Sequence, residues 1–150
     1  MTTSAAWLLS AHLVFTAAMI GLIWFVQIVH YPLFAWVDPD QFVAYEVAHR
    51  RLTSYVVGPF MAVEGVTALI LLFAAPHGIG LVLPLIGAAL LAVIHASTVV
   101  LQVPAHAALA SSHDSRTIRR LIRTNWIRTI GWSARGCVAV AMLIKGATRR

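Results

Sequence analysis

Charge is what this sequence most lacks. Only 11% of its 150 residues are charged, against roughly 25% in a soluble domain. Acidic side chains number five and cysteine only one, Cys137. A lone cysteine excludes an intrachain disulfide and a cysteine-based metal site, and Cys137 reads as a small apolar filler in the last hydrophobic segment. Internal repeats and low-complexity tracts are also absent, which excludes solenoids and biased linkers. What remains is apolar: 60% of the chain is hydrophobic, more than a single core of this size absorbs, so the excess calls for lipid.

Four apolar stretches, from Ala5 to Val29, Tyr55 to Ala75, Ile79 to Val103 and Trp126 to Ile144, match the about 20 residues that a bilayer core requires. They predict an all-α chain, residues 1–150 forming a single four-transmembrane-helix bundle. The first stretch lacks a basic flank and exceeds the about 7–15 residues of a signal-peptide core, so it reads as a retained span.

The net charge of +6 suggests nucleic acid at first sight. Its placement argues against that, because the cations alternate with apolar residues beside membrane segments, as topology signals do. Arg50, Arg51, Arg116, Arg119, Arg120 and Arg123 flank the first and third connections. The N-terminus and the Pro76-His77-Gly78 turn carry no Lys or Arg, and only Lys145, Arg149 and Arg150 point the other way. A multi-pass protein of the bacterial cytoplasmic membrane is expected, its termini outside and its long connections in the cytoplasm.

Asp38-Pro39-Asp40-Gln41 has the form of a helix start, with Asp38 as N-cap, Pro39 at the first position and Gln41 placed for a capping box. The second helix then runs from about Pro39 to Ala75, longer than a bilayer needs, and the bundle extends beyond the cytoplasmic leaflet. Asp114 reads as the N-cap of the fourth helix, whose Arg116–Arg128 stretch is amphipathic. Pro59 and Pro104 each remove a backbone donor and predict kinks.

Depth along the helices brings polar residues together. Counted from the outer ends, His30, His49 and His106 lie about 25, 26 and 27 residues in, at one level by the ~1.5 Å rise per residue. Glu46, Gln27, Gln102 and Asn125 fall near that level. Glu64 and Arg135 share a deeper one, with His95 and Arg128 between the two. At 100° per residue His95, Gln102 and His106 form one stripe, and Arg128, Trp132 and Arg135 another. His12, His77 and His113 read as solvated. Trp126 reads as an interface anchor, and Trp24 and Trp132 as packing or the lining of an aromatic cavity.

A charge near the bilayer centre costs about 2.5–3.5 kcal/mol or more, so Glu64 and Arg135 are expected to pair. Such a pair fixes helix register, or anchors a polar substrate group or carries a proton. Three imidazoles with Glu46 suit a Zn, Fe or Cu site with ligands His30, His49, His106 and Glu46. Glu46-Val47-Ala48-His49 has the Glu-x-x-His spacing of di-iron bundles, but the second pair that such a site needs is missing. Histidines merely hydrogen-bonded to Gln, Asn and Arg are the plainer alternative, and haem held by two histidines is a third.

Gln102-Val103-Pro104-Ala105-His106-Ala107-Ala108-Leu109, followed by Asn125-Trp126-Ile127-Arg128-Thr129, resembles the C-terminal half of a family of small four-helix membrane proteins that includes the anthrone oxygenases. That family typically shows V-P-x-N-x-x-L on its third helix and N-x-x-R-T opening its fourth. His30-Tyr31-Pro32 looks like its H-P turn after the first helix. His106 stands where the family usually has Asn. The resemblance covers most of the chain in layout and about fifteen residues in motif. It implies a membrane oxygenase or related tailoring enzyme acting on a flat, apolar, phenolic substrate.

The sequence thus favours a membrane oxidoreductase with a cavity between helices two, three and four. His49 and His106 would act as general base or metal ligands, and Arg128 and Asn125 would hold a developing enolate or phenolate. Gln27, His95, Gln102 and Trp132 would line the cavity. The expected partners are the lipid bilayer and a small apolar molecule, with homo-oligomer formation open and the cofactor a transition metal, haem or none. The competing reading is a non-catalytic membrane binding or assembly protein with a structural polar layer.

Overall fold

The computed structural model describes residues 2–148, so Arg149 and Arg150, which weigh in the topology reading, lie outside the described residues. Within them the chain is all-α. Four helices are long and apolar enough to cross a membrane: α1 (Thr3–Trp36), α2 (Pro39–Phe73), α3 (Val82–Leu109) and α4 (Ser115–Thr148). The chain is an integral membrane protein. With 34, 35, 28 and 34 residues at ~1.5 Å each, every helix exceeds the ~30 Å of bilayer hydrocarbon. Trp7, Phe25, Tyr55, Phe73, Val82 and Ile130 point outward among many exposed apolar side chains, as a lipid-facing surface requires.

Local chemistry sets the helix ends. The Asp38 carboxylate accepts from the Asp40 backbone N–H at 2.8 Å and Pro39 follows it, so α2 starts as the sequence predicts. Gln41 takes no part in a capping box and is exposed. Asp114 caps α4, accepting from the backbone N–H groups of Arg116 and Thr117, both at 3.0 Å, and from the Thr117 hydroxyl. Those bonds, the Thr117 hydroxyl's first, hold the Asp114 carboxyl below its ordinary pKa. Between α2 and α3 the chain turns through Gly78 and Gly80, at φ 89° and 71°, a region that favours glycine.

The prolines leave their helices unbroken. α2 continues through Pro59 without a break. Near Pro32 and Pro104 the helices instead contain π turns, at Val26–His30 and Thr98–Gln102. In each, the residue just before the proline donates across five residues, Tyr31 to the Val26 carbonyl and Val103 to the Thr98 carbonyl. The wider turn accommodates the missing proline N–H without ending the helix. His30-Tyr31-Pro32 is therefore not a turn after α1: the helix runs on to Trp36.

Packing is closest between α1 and α4, between α3 and α4, and between α1 and α2; among neighbouring helices α2 and α3 approach least. Glycine permits the close approach of α4. A Cβ at Gly131 would lie 2.7 Å from Ile94, and one at Gly136 would lie 2.5 Å from Ile20. Cys137 beside it is exposed on the outer face of α4 and fills no interior space.

Apolar and polar groups alternate along the bundle. Leu9, Leu71, Ile79 and Met142 pack at the end that holds the termini. Met19, Ile23, Ile94 and Trp132 form a middle cluster, and Phe34, Phe42, Leu109, Ile118 and Leu121 belong to the cluster at the opposite end. Between the first two lies a buried polar layer. There Glu64 pairs with Arg135, which also donates to the Gly87 carbonyl. The Thr16 hydroxyl bonds Glu64 at 3.5 Å, and a ring nitrogen of His12 lies 2.9 Å from the Thr67 hydroxyl. His12 is thus buried in this layer rather than solvated, because α1 faces α2 at that depth.

Candidate functional site

The second polar layer lies between the middle cluster and the connection-end cluster, and the two π turns sit at its level. Gln27 and His30 belong to the first turn and Gln102 ends the second. At ~100° per residue, the extra residue in each turn rotates the flanking segments out of straight-helix register. One consequence is buried Tyr31.

Here the three histidines converge. His30 Nε2 lies 2.8 Å from His49 Nδ1, which is also 3.1 Å from the Thr53 hydroxyl one turn along α2. His106 donates through Nδ1 to Glu46 at 2.6 Å, and Nε2 accepts from the Tyr31 hydroxyl at 2.9 Å. The His49 and His106 rings are 5.4 Å apart, centroid to centroid. Glu46 is fully buried, and its second oxygen has no partner among the described residues. One donor atom from each of Glu46, His49 and His106 falls within 4.8 Å of the others. His30 lies outside that trio, behind His49, where it packs against Phe34 and stacks with Phe25.

Beside these groups is a cavity of about 370 Å³. It occupies the loosest seam of the bundle, between α2 and α3, with α1 behind it and Arg128 reaching in from α4. Val26, Val57, Met61 and Val103 supply apolar wall, while Tyr31, His49, Gln102, His106 and Arg128 supply polar groups.

Arg128 is 8% exposed, and among the described residues no carboxylate pairs with it. One guanidinium N–H donates to Asn125 Oδ1 at 3.1 Å, and Nε has no partner.

Three residues expected in the cavity wall lie elsewhere. Gln27 is committed to a buried network, accepting from Asn125 at 2.9 Å and donating to the Ile122 carbonyl at 3.2 Å. Trp132 is fully buried in the middle cluster and faces Arg135, 5.7 Å from the guanidinium carbon to the ring centroid. His95 is half-buried outside the wall, because the Thr98–Gln102 π turn breaks the stripe it would share with Gln102 and His106. Asn125 is also absent from the wall: bonded to both Gln27 and Arg128, it positions the arginine. Gln102 does line the cavity and donates to Thr124 at 2.9 Å.

Sequence reasoning missed Tyr31 and Thr53. Thr53 was within reach, four residues after His49 on one helical face. Tyr31 was not, because its inward direction depends on the π turn. Among the remaining aromatics, Trp24 is outward-facing, bonded to Ser133 and edge-on to Trp126. His77 is exposed, and His113 packs against Phe42. Among the described residues, His77 is the one titratable side chain lining an open depression of about 560 Å³ at the terminal end.

Comparison with protein-family models, curated proteins and solved structures yields no match.

Proposed function

We propose that this protein is a membrane oxygenase-like enzyme whose cavity takes an apolar, acidic, flat molecule such as a phenol of the anthrone type. The observation that carries the reading is Arg128, a buried guanidinium that has no carboxylate partner among the described residues and borders an apolar cavity beside two imidazoles. An unpaired buried cation is costly. An anionic oxygen on the ligand would offset that cost through charge-assisted hydrogen bonds. Mostly apolar walls suit the rest of such a molecule, and the α2–α3 seam gives it a route from the lipid.

In an anthrone the methylene between the rings is a carbon acid. Its proton passes to the histidine–glutamate layer, and Arg128 holds the enolate oxygen as charge develops. Molecular oxygen then oxidises the carbon. One oxygen atom becomes the new ketone oxygen, and the other leaves as water with the two hydrogens that the carbon gives up. His49 and His106 border the reacting region, Tyr31 and His30 hold them in place, and Asn125 holds Arg128. The partial motif shared with the anthrone oxygenases supports this reaction class.

Oxygen uptake with anthrone as substrate tests it on detergent-purified protein. Wild type is expected to consume oxygen with anthrone present, and His49→Ala/His106→Ala to fall to the background rate. Full activity in that double variant contradicts the reading.

The six exposed arginines beside the 37–38 and 110–114 connections favour a cytoplasmic placement of this end. A Ser112→Cys label in a Cys137→Ser background should react only from the cytoplasmic side. Reaction from the opposite side reverses the orientation.

A non-catalytic role has one observation in its favour, the buried Gln27–Asn125–Arg128 hydrogen-bond chain, which would serve as a structural clasp. It predicts that variants in the histidine layer lose stability and ligand binding together.

A further inference from the structure

We propose that Glu46, His49 and His106 bind one divalent first-row transition metal ion at the wall of the cavity. The inference goes beyond the substrate reading and rests on the geometry of the trio alone. Their donor atoms lie within 4.8 Å of one another, a few tenths of an ångström beyond the about 4.4 Å that two ligands at about 2.2 Å can span across one ion, so small side-chain rotations close them onto it.

The hydrogen-bond pattern around the trio suits a metal. Glu46 is fully buried, yet one carboxylate oxygen has no partner. Its other oxygen shares a proton with His106 Nδ1 at 2.6 Å, the position that a cation would take over. His106 would then ligate through Nδ1 and donate its Nε2–H to Tyr31, already 2.9 Å away. His49 has Nδ1 engaged by His30 and Thr53, which leaves Nε2 for the metal. Metal-bound histidines usually have the second nitrogen tied in this way, and such contacts fix tautomer and ring orientation. His30 therefore positions His49 and is not a ligand.

Chemistry narrows the ion. The donors are two imidazoles and one carboxylate, and the only cysteine is exposed on another face. That set suits Fe(II), Zn(II) or Co(II) rather than Cu(I) or Ca(II), and three protein ligands leave coordination positions open. His49 and His106 both border the cavity, so an open position faces the space assigned to the ligand. A water or hydroxide there would take the proton that otherwise goes to imidazole.

The probe is Co(II), added to chelator-treated, detergent-purified full-length protein and followed by its visible ligand-field bands. Wild type is expected to bind one Co(II) per chain, and Zn(II) to displace it. Glu46→Gln, His49→Ala and His106→Ala should each lose more than about tenfold in affinity, while His77→Ala at the far end binds as wild type does. X-ray absorption of the wild-type complex covers the case of variants that fail to fold, and two imidazole ligands are expected. No uptake by folded wild type, unchanged affinity in all three variants, or a spectrum without imidazole overturns the inference. Anthrone-dependent oxygen uptake by metal-free protein would leave the substrate reading standing without the metal.

Discussion

Glu64 and Arg128 show two fates for a charge inside this bundle. Glu64 is fully buried and paired with Arg135, which also satisfies the Gly87 carbonyl. Arg128 has no acidic partner among the described residues and borders a cavity. The first arrangement is self-sufficient and the second is open to a ligand. Removing one member of the Glu64–Arg135 pair strands the other, which costs about 3–5 kcal/mol, whereas replacing both with apolar residues is often near neutral. Glu64→Leu should therefore lower stability in a detergent-unfolding titration far more than Glu64→Leu/Arg135→Met. Equal losses in the two variants would show that the pair does not act as a unit. The depth of Glu64 and Arg135 was legible from the sequence, because counting along a helix needs only the 1.5 Å rise. Their neighbours His12 and Thr67 were not, since placing them required knowing that α1 faces α2 at that depth.

At the scale of elements, glycine and proline decide how the helices meet. Gly131 lets α4 approach Ile94 of α3 so closely that a Cβ would lie 2.7 Å from it. Ile94 is fully buried and has little room to withdraw. Gly131→Ala should cost about 1–3 kcal/mol by overpacking, read as a lower unfolding midpoint, and an unchanged midpoint would show that the seam yields freely. The four spans and the Asp38 and Asp114 caps follow from hydropathy and capping chemistry, so the sequence exposes them. The π turns do not follow. A proline announces only a missing donor, and the helix can respond by kinking, ending or widening. Widening at Val26–His30 and Thr98–Gln102 turned Tyr31 inward and separated His95 from Gln102 and His106. Straight-helix periodicity therefore placed the histidine layer correctly in depth and misassigned part of the cavity wall.

On the scale of the whole molecule, tight α1–α4 and α3–α4 packing leaves one loose seam, between α2 and α3. The cavity, the histidine–glutamate layer and the unpaired guanidinium all meet there. That coincidence of loose packing with buried polar chemistry is what the proposed entry of a lipid-borne molecule rests on. In the proposed function Arg128 holds the anionic oxygen of such a molecule. Titration of an anthrone-type phenol into detergent-purified wild type and Arg128→Gln tests it most directly. Loss of a buried charged hydrogen bond of about 1.5–3 kcal/mol predicts roughly ten- to hundredfold weaker binding, with an unfolding midpoint no lower than wild type. Equal affinity in the two proteins would contradict the account.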